Sequence, residues 1–82
     1  MKYVVAVKPR AMKDLKPLSR NDKMRVLAAI AGLEDDLSGD VKRLTNFTPE
    51  YRLRTGDYRV LFEIESHTVV VYRVLHRRES YR

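Results

Sequence analysis

The sequence predicts an α+β fold with the order β-α-α-β-β-β, in which two N-terminal helices pack on one face of a mainly antiparallel, twisted sheet. One observation behind this prediction is a row of apolar residues at helical spacing: Val26, Ile30, Leu33 and Leu37. The other is a C-terminal third in which segments rich in β-branched and aromatic residues alternate with two-residue turns. With 82 residues, the chain is expected to form a single domain over residues 1–82.

The first strand and helix follow from a short apolar run and two prolines. Residues 2–8 are predicted to form the strand, because tyrosine and valine dominate the run. Pro9 suits the first turn of a helix, where a backbone N–H is not needed. Pro17 is expected to end that helix, because proline cannot continue the hydrogen-bond pattern.

The second helix carries the apolar row. Ser19 or Asn21 is expected to cap its start, because both side chains offer an oxygen to the unpaired amides of the first turn. Met24 and Leu27 are expected to lie beside the apolar row. Gly39 is expected to end the helix.

Three strands are predicted after an irregular connection at residues 41–50. They cover about residues 51–55, 58–65 and 68–75 and form an antiparallel meander. Two-residue turns between them fix which residues pair.

The first of these turns, at residues 56–57, pairs Thr55 with Tyr58 and Arg54 with Arg59. Side chains alternate between the two faces of a strand, so apolar residues gather on the face toward the helices. They are Tyr51, Leu53, Val60, Phe62 and Ile64. Three arginines gather on the other face: Arg52, Arg54 and Arg59.

Arginines placed opposite each other predict an anion site. Like charges on facing strands destabilise a sheet, and a chain that keeps such a pair is typically marking a functional position. Phosphate is the anion that fits best. The alternative is a set of solvated side chains paired with Glu63 or Glu50.

The third strand is placed by a turn at residues 66–67. This turn pairs Glu63 with Val70, Leu61 with Tyr72 and Arg59 with Val74. Tyr72 and His76 then lie on the same face as the arginines.

Charge and composition narrow the class of partner. The net charge is +6 and the isoelectric point about 9.9, which favours a polyanion, either nucleic acid or an acidic protein. The acidic residues of the segment 26–40 are expected to face away from the anion site. They are Glu34, Asp35, Asp36 and Asp40. The last ten residues form a second basic cluster with Arg73, Arg77, Arg78 and Arg82.

The chain has no cysteine, which excludes a disulfide scaffold, a zinc-cysteine site and a thiol nucleophile. The apolar run at residues 3–7 is too short for a signal peptide or a membrane span. We therefore expect a cytoplasmic protein that does not associate with a membrane. We also expect it to bind no metal and no cofactor.

Three segments carry a family resemblance. They are Pro-Arg-Ala-Met-Lys-Asp-Leu from residue 9, Tyr-Arg-Leu-Arg-Thr-Gly-Asp-Tyr-Arg-Val-Leu-Phe-Glu-Ile from residue 51, and Val-Val-Val-Tyr-Arg-Val-Leu-His-Arg-Arg-Glu-Ser-Tyr-Arg from residue 69. In order and spacing they resemble the RelE/ParE toxin superfamily, and within it the RelE-like mRNA interferase branch. The resemblance covers nearly the whole chain and implies the RelE-like fold, with a basic concave face as the RNA site.

The resemblance also implies a function. RelE-like proteins are toxins of type II toxin-antitoxin systems, and they are ribosome-dependent endoribonucleases that cut mRNA in the ribosomal A site. The implied partners are mRNA, ribosomal RNA and an acidic, RelB-like antitoxin. Cleavage without a metal requires activation of the ribose 2′-OH, stabilisation of the phosphorane charge and protonation of the leaving oxygen.

Residue roles follow from the resemblance. Arg59 is the first candidate for contacting the scissile phosphate and Arg77 the second. Tyr81 or His76 is expected to activate the 2′-OH, and the sequence leaves both open. Further RNA contacts are expected from Arg52, Arg54, Arg78 and Tyr72.

The chain departs from RelE-like relatives by placing Arg52 and Arg54 where those proteins have lysines. Arginine does not give up its proton, so these two residues are expected to bind phosphate rather than to act as bases. Two other functions remain open: a ParE-like inhibitor of DNA gyrase, and a non-catalytic RNA- or ribosome-binding module. The set His76, Arg77 and Tyr81 argues against the gyrase inhibitor.

Overall fold

The computed structural model describes residues 2–79 of the chain. Its elements, in chain order, are β1 (Val4–Val7), α1 (Pro9–Leu15), α2 (Arg20–Gly32), β2 (Asp40–Arg43), β3 (Tyr51–Thr55), β4 (Tyr58–Glu65) and β5 (Thr68–His76). The strands form one sheet in the order β1-β5-β4-β3-β2, in which β1 runs parallel to β5 and the other neighbours are antiparallel. The predicted α+β architecture, with two helices preceding a mainly antiparallel sheet, is confirmed.

The sheet contains one strand more than the sequence predicts. Residues 40–43 pair with β3 instead of belonging to an irregular connection. Val41 is the only apolar residue among the four, so the segment shows none of the alternation that marks a strand. Gly39 precedes it with a φ of +117° and allows the chain to turn into the sheet edge.

Helix α1 begins at Pro9 as predicted and ends at Leu15, two residues before Pro17. Helix α2 is capped by Ser19, whose Oγ accepts a hydrogen bond from the amide of Asp22 at 3.2 Å. This distinguishes between the two candidate caps and favours Ser19 over Asn21.

The end of α2 differs from the prediction. The helix stops at Gly32, and the next amides bond to carbonyls three residues back, a tighter turn than the α-helix. Leu37, with a φ of +57°, reaches the core from outside the helix. Met24 and Leu27, which were expected to lie beside the apolar row, are 60% and 43% exposed and do not belong to the buried core.

The core lies between the two helices and one face of the sheet. The helices contribute Ala11, Leu15, Val26 and Ile30, and Leu33 follows α2 directly. The sheet contributes Leu53, Val60, Phe62, Val69, Val71 and Val74. On β3 and β4, side-chain alternation therefore puts the residues between these positions on the sheet face that lacks helices.

The β3–β4 hairpin has the predicted register. Thr55 pairs with Tyr58 and Arg54 with Arg59, and the turn between them contains Gly56 with a φ of +58°. A positive φ at the first turn position is typical of the tight turns that join antiparallel strands, and glycine adopts it without strain.

The register between β4 and β5 agrees with the prediction only as far as Phe62. A β-bulge at Leu61 and Phe62 leaves Tyr72 as the extra residue on β5, and Leu61 pairs with Arg73 instead of Tyr72. Beyond the bulge, every β5 residue is displaced by one position. The predicted side of the sheet is therefore wrong for His76, which pairs with Tyr58.

Helix α2 has 13 residues, and within residues 2–79 no helix is long and apolar enough to cross a bilayer.

Candidate functional site

Arg52, Arg54 and Arg59 lie together on the sheet face opposite the helices, as predicted. We call these three residues the arginine cluster. Arg54 and Arg59 face each other across the hairpin, and Arg52 is two residues from Arg54 on the same side of β3. The hairpin thus forces three guanidinium groups into one region.

Two members of the arginine cluster are buried although both helices lie on the other side of the sheet. Arg52 is 8% exposed and Arg59 is 7% exposed, whereas the Arg54 side chain is 53% exposed. The stem of Arg52 lies between Lys42 on β2 and Leu61 on β4, its neighbours across the sheet. Because these exposures include the guanidinium groups, Arg54 is the member of the cluster that offers most of its side chain to solvent.

The cluster is neutralised in part by Asp40, a residue that the sequence did not assign to it. One Asp40 carboxylate oxygen lies 3.2 Å from the Arg54 Nε and the other lies 3.9 Å from a terminal nitrogen of Arg52. The expectation that the acidic segment 26–40 faces away from the site is therefore wrong for Asp40. That expectation assumed that the residues of β2 belong to an irregular connection.

The predicted alternative, in which the arginines pair with Glu50 or Glu63, does not occur among residues 2–79. Glu50 pairs with Arg43 at 3.2 Å, and Glu63 accepts a hydrogen bond from the Glu50 amide at 2.8 Å. These two carboxylates instead hold the connection between β2 and β3.

Arg77 lies at the end of the sheet that carries the hairpin turn. Its amide donates to the carbonyl of Asp57 at 2.7 Å, and its guanidinium is 3.8 Å from the Asp57 carboxylate. Arg54 and Arg59 form the second residue pair from the same turn. Arg77, which follows β5, therefore lies at the edge of the arginine cluster.

His76 lies on the helix side of the sheet and not with the arginines. Its ring packs edge-on against Tyr58 with centroids 5.4 Å apart, and the Tyr58 hydroxyl donates to Asp22 of α2 at 3.3 Å. The His76 Nδ1 accepts from the Arg78 amide at 3.2 Å. His76 lines a cleft of about 420 Å³ together with residues of α1. The β-bulge is the physical cause of this displacement.

The remaining predicted site residues have separate surroundings. Tyr72 is half-buried, and the Lys8 ammonium group lies 5.3 Å from its ring centroid. Alternation from the core residue Val71 places Tyr72 on the arginine side. Arg78 is exposed in the turn after β5. Tyr81 falls outside the described residues 2–79.

Asp14 is a partly buried charged residue to which the sequence analysis assigned no role. Its carboxylate accepts from the Arg73 side chain at 2.8 and 3.2 Å and from the Val74 amide at 2.9 Å, and Arg10 lies 3.3 Å away. Burial alone would raise the pKa of Asp14, but the bonds from Arg73 and Val74 outweigh it and lower the pKa below its ordinary value. The carboxylate is therefore ionised at neutral pH.

Comparison with known proteins extends these observations. A family model described as the ParE toxin of type II toxin-antitoxin system, parDE, matches residues 5–81. Toxin RelE3 of Methanocaldococcus jannaschii is 32% identical in an alignment 75 residues long, which covers 85% of each of the two chains.

Solved structures with the same fold come from toxin-antitoxin complexes. The RelBE2 complex of Mycobacterium tuberculosis matches with a TM-score of 0.81 and 29% identity, over 94% of this chain and all of the other. The RelB-RelE complex of Methanococcus jannaschii matches with a TM-score of 0.75 and 28% identity, over 92% and 93% of the two chains. The RelE-RelB complex of Pyrococcus horikoshii matches with a TM-score of 0.76 and 25% identity, over 98% and 100%.

The family match spans almost the whole chain, and the arrangement of helices and strands agrees with that of the solved toxins. The chain therefore belongs to the RelE/ParE superfamily and is a toxin of a type II toxin-antitoxin system.

Proposed function

We propose that this toxin is a ribosome-dependent endoribonuclease that cuts mRNA in the ribosomal A site. The observation that carries the proposal is the arginine cluster on the helix-free face, with Arg77 at its edge. A concentration of guanidinium groups on a sheet face without helices suits a phosphodiester backbone, which is held mainly by charge. Translating ribosomes place the site of action in the cytoplasm.

The proposed reaction is attack of the ribose 2′-OH on the adjacent phosphorus, with no metal ion. Negative charge rises on the phosphorane as the 2′-OH proton passes to the general base. The bond from phosphorus to the 5′ oxygen then breaks, the leaving oxygen takes up a proton from solvent, and a 2′,3′-cyclic phosphate remains. We assign the stabilisation of that charge to Arg59 and Arg77, because guanidinium groups donate two parallel hydrogen bonds to phosphate oxygens. Arg52 and Arg54 would hold the neighbouring phosphates, because the planar guanidinium group matches the geometry of phosphate oxygens.

We assign the general base to Tyr81 rather than to His76. His76 lies on the helix side of the sheet, whereas Arg59 lies on the opposite side. A base must come within hydrogen-bond reach of the 2′-OH when the phosphate contacts the arginines. Arg78 and Tyr72 are assigned to RNA contacts, the former through phosphate and the latter by stacking on a base.

An acidic, RelB-like antitoxin is the proposed partner that silences the toxin. The solved relatives from M. tuberculosis, M. jannaschii and P. horikoshii are complexes of a toxin with its antitoxin. The net charge of +6 favours an acidic partner. Co-purification from the native host, followed by sequencing of the bound chain, tests this assignment.

The function is tested by mapping 5′ ends of mRNA in a translating extract that receives the purified toxin. We expect new ends within codons of translated messages, and no such ends when ribosomes are omitted. A DNA supercoiling assay with purified gyrase runs in parallel. Inhibited supercoiling without new 5′ ends would support the gyrase inhibitor, and ribosome association without new ends would support a non-catalytic binding module.

A further inference from the structure

A single carboxylate on β2 contacts two members of the arginine cluster. Asp40 pairs directly with Arg54 across the sheet, and Arg54 in turn pairs with Arg59. The row across β2, β3 and β4 therefore carries one negative and two positive charges. Asp40 lies 3.2 Å from Arg54 and 3.9 Å from Arg52. It supplies a counter-charge to Arg52 and to Arg54, one of the two arginines that face each other across the hairpin.

The contacts that Asp40 makes are ones that a phosphate would also make. Carboxylate and phosphate oxygens both accept from the planar fork of the guanidinium group, and arginine binds either one in the same geometry. The Asp40 oxygen nearest Arg54 lies 3.2 Å from the Arg54 Nε, which is one of the nitrogens of that fork. A phosphate bound at Arg54 through this donor would need the space that the carboxylate fills.

Arg52 shows that the carboxylate does not satisfy the site. Within residues 2–79, its buried Nε has no hydrogen-bond partner, although the residue is only 8% exposed. The separation of 3.9 Å from Asp40 is beyond hydrogen-bond length. Burial of an unpartnered donor on a charged group is unfavourable, so Asp40 leaves the charge of Arg52 incompletely compensated.

The ion pair is also weak enough to be displaced. The side chains of Asp40 and Arg54 are 55% and 53% exposed, and exposed pairs contribute little to stability because water screens them. Asp40 lies on β2, the edge strand of the sheet. An incoming polyanion can therefore compete for Arg54 and Arg52 without disrupting the core.

We propose that Asp40 is an intramolecular substitute for an RNA phosphate. It occupies the guanidinium groups of Arg54 and Arg52 in the RNA-free toxin and lowers their affinity for phosphate until RNA displaces it. The identification of the displacing phosphate as part of RNA rests on the proposed function. The competition between Asp40 and an anion at these two arginines is independent of that function.

The test measures the affinity for inorganic phosphate and for a single-stranded RNA whose 2′ positions are methylated to prevent cleavage. Phosphate binding is followed by NMR at the side-chain Nε–H signals of Arg52 and Arg54. Asp40→Asn is compared with Glu50→Gln, which removes the same charge from a side chain of similar exposure, 46%, outside the cluster. Asp40→Ser serves as a second variant, and thermal melting establishes that each variant is folded.

We expect Asp40→Asn and Asp40→Ser to bind both probes about two- to fivefold more tightly, the change that loss of one exposed ion pair brings. Glu50→Gln should bind as the parent protein does, and the gain should shrink as salt is added. Unchanged or weaker binding by the Asp40 variants overturns the proposal, as does an equal gain in Glu50→Gln. If the Asp40 variants bind phosphate more tightly but the parent toxin cuts no mRNA in the translating extract, the proposed nuclease activity is refuted and the role of Asp40 stands.

Discussion

Asp14 and Arg73 form an ion pair, 2.8 Å long, that joins helix α1 to strand β5 across 59 residues of sequence. The same carboxylate accepts from the amide of Val74, the second residue after the bulged Tyr72. One buried carboxylate thus bonds a side chain and the backbone beside the bulge. Asp14 therefore supports the displaced register that puts His76 on the helix side and carries Arg77 to Asp57.

Replacing Asp14 with Asn is expected to lower the free energy of unfolding at pH 7 by about 1.5–3 kcal/mol, because bonds from charged and backbone donors lose their ionised acceptor. Urea unfolding measures the change. Asp35→Asn is the control, since Asp35 is exposed and lies 4.0 Å from Lys2. Equal stability of the two variants would contradict the role given to Asp14.

The stability contributed by Asp14 should depend on pH in a defined direction. Its pKa is lower in the folded protein than the ordinary value of 3.8, so the contribution is complete above that value. It is lost as pH falls through the folded pKa, because the unfolded state takes up the proton first. The difference in unfolding free energy between parent and Asp14→Asn should therefore be constant from pH 7 to about 5 and shrink below pH 4. A difference that grows on acidification would refute this account.

The stability contributed by Tyr58 is expected to be lost at alkaline rather than at acidic pH. Burial, with the nearby charge of Asp22 and the hydrogen bond to it, raises the pKa of Tyr58 above its ordinary value of 10.0. Its contribution is complete below pH 10 and is lost as pH rises through the folded pKa. Melting temperatures between pH 8 and 11 should fall more steeply for the parent protein than for Tyr58→Phe. Parallel curves would show that the hydroxyl contributes nothing.

The difference between predicted and observed structure has a local cause in each case. The β3–β4 register was predictable because a two-residue turn and an alternating apolar pattern lie in the same 12 residues. The bulge was not predictable, because the carboxylate that holds the strand beside it belongs to Asp14, a residue on another element. The position of Asp40 was missed for a related reason, since β2 has a single apolar residue and is held in place by β3.

Gly39 is predicted to be intolerant of a side chain. Its φ is +117°, and a Cβ there would lie 2.9 Å from the Leu53 side chain in the core. Gly39→Ala should therefore destabilise the protein by about 1–3 kcal/mol. Gly32→Ala is the matched control, because nothing lies within 4 Å of its added methyl group and alanine favours a helix. A Gly39 variant as stable as the Gly32 variant would contradict the geometry of the β2 entry.

The arginine cluster is tested most directly by Arg59→Ala and Arg59→Lys in the mRNA cleavage assay, with Arg20→Ala as a control of equal charge on the exposed start of α2. Because Arg59 is buried, the assay is run well below the melting temperature of each variant. We expect both Arg59 variants to lose cleavage by about 100-fold or more, as for loss of one charge-stabilising donor, while ribosome association stays near that of Arg20→Ala. Full cleavage by Arg59→Ala, or equal loss in Arg20→Ala, would contradict the assignment of the helix-free face as the RNA site.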